Sequence, residues 1–452
     1  MPRARVTGRS NKELDSHCCA CSRSVPIATS SPPRSSRLSE LASPPLRWVL
    51  AYDLAGAVLG TALAIKMIAY VGISPIAAAF AERLPRRGML VALDLVRAGV
   101  ALALPFVDQI WQVYVLIFVL QSASASFSPT FQATIPDVLP EEREYTRALS
   151  LSRLAYDLES VVSPMLAAAL LTVIGFHTLF VGTVVGFLAS AALVVSVVLP
   201  SLKPTERRGI YDRTTRGMRI YLATPRMRGL LALNLAAAAA SAMVIVNTVV
   251  LVQAGFGLTQ RATAFALAAF GGGSMVAAFV LPRLLDSISD RRAMTTGASV
   301  LVLCLLAGSI LPSYTLLLPL WFVLGLGYSL TQTPSGRLLR RSSQQEDRPA
   351  LFAAQFALSH ACWLITYPVA GWVGAKLGTP IAFLLLAAIA AAAVIVAMAV
   401  WPAADPEEVA HVHDGLASDH LHLTDAERTA GGYRHAHAFV IDSQHLEWPR
   451  PA

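Results

Sequence analysis

The sequence predicts an all-α membrane protein made of two helical bundles, with about eleven membrane-spanning helices. Three observations carry that expectation. Hydrophobic residues fill 55% of the 452 positions and charged residues only 14%, with a mean hydropathy of +0.56, and a soluble domain of this length needs far more charged surface. Apolar runs long enough to cross a bilayer as a helix, about 20 residues, recur along the chain. Basic residues gather in alternate loops between those runs.

The net charge of +8 would by itself also suit a nucleic-acid binder. Here the basic residues sit in short loops rather than on one face of a soluble domain, so nucleic acid is not expected as a partner. No Gly-x4-Gly-Lys-Ser/Thr loop and no HExxH motif occurs in the chain, which argues against an ATP-driven pump and against an enzyme. Lys12, Lys66, Lys203 and Lys376 are the only lysines among 36 basic residues. That bias towards arginine, with the alanine excess, points to a GC-rich bacterial genome and so to a bacterial inner membrane.

Spans are predicted near 57–81, 88–107, 111–134, 147–174, 177–199, 229–254, 262–285, 293–312, 315–336, 349–375 and 379–401. The longest internal polar stretch, Lys203 to Arg228, separates the fifth from the sixth. The expected organisation is a disordered basic segment (1–45), a first bundle (46–200), a connector (201–228), a second bundle (229–401) and a histidine-rich tail (402–452). Two bundles of this kind suit a transporter built from structural repeats.

Orientation follows from the basic loops. Arg83, Arg86 and Arg87 share one loop, Arg143 and Arg147 the next but one, and Lys203, Arg207, Arg208, Arg213, Arg216 and Arg219 lie in the connector. Arg283, Arg291 and Arg292, then Arg337, Arg340, Arg341 and Arg348, continue the alternation. Positive charge stays on the cytoplasmic side, so these loops and the C-terminal tail are expected inside. The N-terminus fits less well. Leu46 to Gly56 reads as the last half of a helix, and the run Leu46 to Ala81 is too long for one span and too short for two. The expectation is a truncated or replaced first helix.

Ionisable residues inside a span are costly and tend to face a cavity or a partner. Lys66 is the leading candidate for a substrate or coupling contact, with a structural ion pair as its alternative. Asp94 and Arg97, spaced i,i+3, can satisfy each other. Asp157 and Glu159, near the start of their span, are candidate coupling acids or interfacial acids. His360, Trp363 and Tyr367 fall at i, i+3 and i+7 and share a helix face, suited to stacking on an organic substrate, relaying protons or packing. Asn234, Asn247, Gln253, Gln332 and Gln355 line a cavity or bond between helices.

Two segments carry a family resemblance. The loop AAAFAERLPRRGMLVALDL, through Ala78, Glu82, Arg83, Pro85, Arg86 and Arg87, is similar to the loop motif of the major facilitator transporters, with LPRLLDSISDRRAM as a weaker echo in the second half. An acid there can meet the positive N-terminus of a neighbouring helix. The segment ESVVSPMLAA places Ser163, Pro164, Ala167 and Ala168 where the exporters of that family carry a glycine-rich motif around a Gly-Pro. Glu stands for Asp in the loop, and Pro164 alone matches the exporter motif by identity. The arginine that proton-coupled members carry in the preceding helix has no counterpart near Phe118. The resemblance covers roughly 47–401 and implies twelve helices, alternating access, a lipid-embedded monomer, a small-molecule or metal-ion substrate, and proton coupling.

Seven of the ten histidines follow the last span: His411, His413, His420, His422, His435, His437 and His445. Neutral imidazoles bind nickel, cobalt, copper and zinc, although the spacing is not a tetrahedral zinc signature. The tail is similar to those of facilitators associated with nickel or cobalt resistance; the alternative is a solvated, flexible segment. Cys18, Cys19 and Cys21 with His17 lack a second ligand pair and read as unstructured. The leading function is a secondary active exporter of a drug-like or siderophore-like molecule, with no resident cofactor. The alternatives are a divalent metal exporter whose tail captures the ion, and a membrane-anchored metal sensor or buffer without transport.

Overall fold

The computed structural model describes residues 64–77, 79, 84–155, 176–197, 210–405, 408–413, 426–429, 432–441, 445 and 448–449. In chain order the helices are α1 (Ala64–Ala77), α2 (Arg86–Ala103), α3 (Ile110–Val138), α4 (described over 142–155), α5 (Phe176–Ser196), α6 (Ile210–Ala223), α7 (Pro225–Val249), α8 (Gln260–Leu284), α9 (Asp290–Gly308), α10 (Tyr314–Gln332), α11 (Ser335–Arg341), α12 (Arg348–Leu377) and α13 (Thr379–Val400). Seven of the helical stretches are long and apolar enough to cross a membrane by length and composition. Strands β1 (Glu408–His413), β2 (Glu427–Thr429) and β3 (Gly432–Ala438) follow.

In the first bundle α2 packs against α3 and α5. The second bundle is organised around α7, whose run Ala236–Ala240 is fully buried. Small side chains let backbones approach closely where lipid offers no hydrophobic drive to associate. The α8–α10 crossing uses that freedom reciprocally: a Cβ on Gly273 would run into the Phe322 carbonyl, and one on Gly325 into the Phe270 carbonyl. Gly297 of α9 and Gly327 of α10 meet in the same way. Phe106, Phe279, Ile310 and Ile395 stay exposed on the outside, as a lipid-facing surface requires.

Three features depart from the sequence expectations. The connector is not merely polar, because α6 lies within it and packs on α12. The apolar run expected to end near 336 stops at Gln332, and a separate short helix, α11, follows it. The tail, expected as a solvated segment or a metal trap, carries an antiparallel sheet of order β1-β3-β2. Phe439 and Ile441, just beyond β3, join the hydrophobic core of the second bundle together with Trp401. The N-terminal segment 1–45, the suspected half-helix before 57 and most of the span expected at 147–174 lie outside the described residues.

Candidate functional site

At the arginine-rich end the bundles are locked together by charge. Asp137, at the end of α3, pairs with Arg86 of its own bundle at 2.6 Å and with Arg348 at the start of α12. Its side chain is 1% exposed, so this three-residue clamp is desolvated. Arg337 of α11 reaches Glu142 of α4 at 2.6 Å and Asp290 of α9 at 3.2 Å, and Arg340 donates to the Pro140 carbonyl. Deeper in, Arg153 donates to Ser274 of α8 at 3.3 Å and lies over the Tyr328 ring. Arg143 and Asp286 also pair across the bundles at 3.5 Å, but both are largely exposed, a setting worth about 0–1 kcal/mol. These two residues, with Glu142, Arg147, Arg283 and Arg337, line a cleft of about 820 Å³ beside the lock.

Inward from the lock, α1 of the first bundle runs antiparallel to α12 of the second. Ser74 donates to the Ala353 carbonyl at 3.2 Å, and the Tyr70 ring meets Phe356 and His360 at centroid distances of 5.0 and 4.7 Å. The Lys66 ammonium lies 5.4 Å from the Tyr70 centroid, one turn further in. That register puts Lys66 level with the turn from His360 to Trp363. His360 is twelve residues from Arg348, about 18 Å along the helix, or just over half of a hydrocarbon core about 30 Å thick. Trp363 donates to Ser241 of α7 at 2.8 Å, and His360 donates its Nδ1 proton to the Phe356 carbonyl at 2.7 Å, because a carbonyl only accepts. Tyr70 and His360 thus meet across the bundles, with Lys66 beside Tyr70 and Trp363 beside His360 at 5.7 Å between ring centroids. Tyr367, one turn beyond Trp363, packs partly buried against the core of the second bundle.

Other predicted residues fall elsewhere. Asp94 and Arg97 pair with each other, Ser190 of α5 donates to Asp94 at 2.8 Å, and Arg97 lies 4.0 Å from the Phe127 centroid. Both are almost wholly buried inside the first bundle, away from the α1–α12 seam. Of the loop motif, Arg86 is in the clamp, Arg87 donates to the Val195 carbonyl, and Pro85 caps α2. Ala78, Glu82, Arg83, Asp157, Glu159, Ser163, Pro164, Ala167, Ala168, His420 and His422 lie outside the residues whose side chains are described. Asn247 donates to the Ala370 carbonyl, Gln253 to Thr263, and Gln355 accepts from Tyr221, which are bonds between segments. Asn234 differs. It is buried and neither amide atom has a partner among the described residues, and it stands two turns from Ser241 on α7. Asp137 and Glu142 were not singled out in the sequence. Their signal, an acid beside an arginine-rich loop, is common to interfacial residues of every kind.

A second cluster lies in the tail. In β1 and β3 the side chains alternate, so Val409, His411 and His413 share a face with Tyr433, His435 and His437, and His411 is directly opposite His435. His445 folds back over that face, its Nε2 3.0 Å from that of His411. The potential ligand atoms of His411, His435, His437 and His445 all lie within 4.8 Å of one another. Burial, together with the neighbouring imidazoles, lowers the pKa of His413 to about 4.

Two bundles joined across a central polar seam and a charged lock define a membrane transporter. The sequence model of the Major Facilitator Superfamily matches residues 38–307 and 230–429, and the chain belongs to that family. It is 20% identical over 334 residues to an MFS-type transporter of Bacillus subtilis, YfiS, covering 69% of this chain and 77% of that protein. It is 24% identical to macrolide efflux protein A of Enterococcus faecalis, over 32% of this chain and 47% of that one. Among solved structures it is similar to a human organic anion transporter, TETRAN (TM-score 0.67, 11% identity, 80% of this chain and 87% of that one). It is also similar to the fucose:proton symporter of E. coli (TM-score 0.60, 15% identity, 76% and 91%). At those identities the likeness is one of fold. The chain is therefore a multi-pass membrane transporter of that superfamily.

Proposed function

We propose that this protein is a secondary active exporter of small amphiphilic organic molecules, binding them between α1 and α12 and releasing them by alternating access. The observation that carries this reading is the seam of Lys66, Tyr70, His360 and Trp363 at half the depth of the bilayer. A lysine beside an aromatic ring suits a flat molecule bearing a negative group, which can pair with the ammonium while its plane packs on the ring. The charged lock closes the arginine-rich end, which the positive-inside rule assigns to the cytoplasm together with the tail. The state described is then one closed to the cytoplasm. The likeness to efflux relatives supports the outward direction. His360 is our candidate for proton exchange, because imidazole is the side chain whose ordinary pKa lies nearest physiological pH.

Proteoliposomes test this directly with three probes: anionic carboxyfluorescein, cationic ethidium and the macrolide erythromycin. Proton-driven flux of carboxyfluorescein, lost in Lys66→Gln and kept in Lys66→Arg, is the expected result. Flux of all three that ignores Lys66, or no flux of any, would overturn the assignment. A second reading, export of a divalent metal ion, is favoured by the imidazole cluster of the tail. A deletion strain sensitive to nickel or cobalt alone would select it.

A further inference from the structure

We propose that the tail sheet is a built binding site for one borderline first-row divalent ion (the zinc, nickel, cobalt and copper class), held by the Nε2 atoms of His411, His435, His437 and His445. The inference stands whichever cargo the bundles carry.

Geometry comes first. The Nε2 atoms of His435 and His445 lie 3.1 and 3.0 Å from Nε2 of His411, that of His413 lies 3.1 Å away as a further neighbour outside the set, and the potential ligand atoms of His411, His435, His437 and His445 all lie within 4.8 Å of one another. Nitrogens bound to one ion at 2.0–2.1 Å stand roughly 3–3.4 Å apart, so the His411–His435 and His411–His445 pairs already have that spacing. Protons cannot account for it. Nδ1 of His411 is 3.0 Å from the Val409 carbonyl and must donate to it, which leaves Nε2 as an acceptor with a single lone pair. One lone pair serves one N–H, yet three ring nitrogens surround it.

The tautomers are also set for metal. His437 places Nδ1 2.9 Å from the Ala438 carbonyl, which fixes the proton there and turns the Nε2 lone pair to the cluster. His411 does the same through Val409. A backbone carbonyl behind a ligating histidine is the usual second shell, orienting the ring and raising its basicity. The site has a wall as well. Phe439 packs edge-on to both His411 and His445, at 5.0 and 4.7 Å between centroids. The Trp448 ring then bridges Phe439 to Arg226 of α7.

Ligand type selects the ion. Four neutral imidazoles with no thiolate and no carboxylate in the set suit zinc, nickel, cobalt and copper(II). Magnesium and calcium, which take oxygen ligands, are excluded by the same chemistry.

The test uses the full chain, purified in detergent and stripped with a chelator. Titration with cobalt(II) should develop a ligand-field absorption band that saturates at one ion per chain. Zinc should displace the cobalt, and millimolar magnesium should leave the band unchanged. Loss of a second-shell partner typically costs 10–100-fold in affinity, so His411→Ala and His435→Gln should each cost at least that. Size-exclusion profiles matching the parent chain will show that the variants remain folded. Binding that survives both His411→Ala and His435→Gln would overturn the proposal. So would a band that magnesium abolishes.

Discussion

Asp137 of α3 and Arg348 of α12 form a buried ion pair that joins the two bundles, and the same carboxylate holds Arg86 of its own bundle. One acid between two arginines is a lopsided arrangement: removing the acid leaves two buried cations facing each other. Breaking a buried pair from one side costs about 3–5 kcal/mol. Asp137→Asn should therefore open the arginine-rich end. A cysteine introduced at Thr146, within the adjoining cleft, should react with a water-soluble maleimide severalfold faster in that background. An unchanged rate would mean that the clamp does not hold this end shut.

Asp94 and Arg97 should prove structural rather than part of transport. Either single change, Asp94→Asn or Arg97→Met, should destabilise the first bundle by about 3–5 kcal/mol, while Asp94→Leu with Arg97→Met should recover most of the loss. Thermal unfolding of the detergent-solubilised protein measures this. Transport per folded molecule should be normal in the double variant, and its collapse there would make the pair part of the transport machinery.

The reciprocal glycine crossing of α8 and α10 makes a steric prediction. Gly325→Ala sets a methyl against the Phe270 carbonyl, and backbone cannot move aside as a side-chain tip can. Overpacking of that kind costs about 1–3 kcal/mol. Gly272→Ala, one residue from Gly273 but 3.9 Å from its nearest neighbour, should melt within about a degree of the parent chain. Since alanine is the better helix former at both positions, a Gly325→Ala chain that melts with Gly272→Ala would show that the crossing gives way without steric cost.

The connector helix should depend on Arg216. Its guanidinium holds Asp347 with two nitrogens, at 2.5 and 2.7 Å, and that bond is the main reason its pKa is raised. Lysine offers a point charge in place of a planar fork. Arg216→Lys should thus lose about 1.5–3 kcal/mol, in the range of a charged hydrogen bond, and speed proteolysis within α6. Cleavage at the parental rate would show that α6 is held by packing alone.

The spans were legible in the sequence because the bilayer demands one thing of them, about 20 apolar residues in a row. Elements outside that demand were harder to read. In α6, Gly217, Ile220 and Tyr221 share one face and are all buried, a helical period hidden inside a stretch that looks polar overall. The His-x-His pairs have the period of a strand, two residues, so each pair falls on one face. Their flanking residues are too few and too mixed to announce a sheet by hydrophobicity, and their composition suggested metal before their spacing suggested structure. His360 and Trp363 were visible as a face of α12. What that face meets depends on Tyr70, nearly three hundred positions earlier, and no local pattern reports a pairing at that distance.

Short α11 has one arginine for each of its surroundings. Arg337 grips Glu142 and Asp290, Arg340 touches the Pro140 carbonyl in the first bundle, and Arg341 holds Asp405 at the root of the tail at 3.1 Å. Seven residues are too few to bend independently at each end. Any tilt that frees the first two arginines is therefore expected to carry the third with it, so that the short helix ties the root of the tail to the contact between the bundles. A fluorophore on β2 would report such a tilt if Asp137→Asn shifts its emission, and an unshifted emission would show the two ends to be independent.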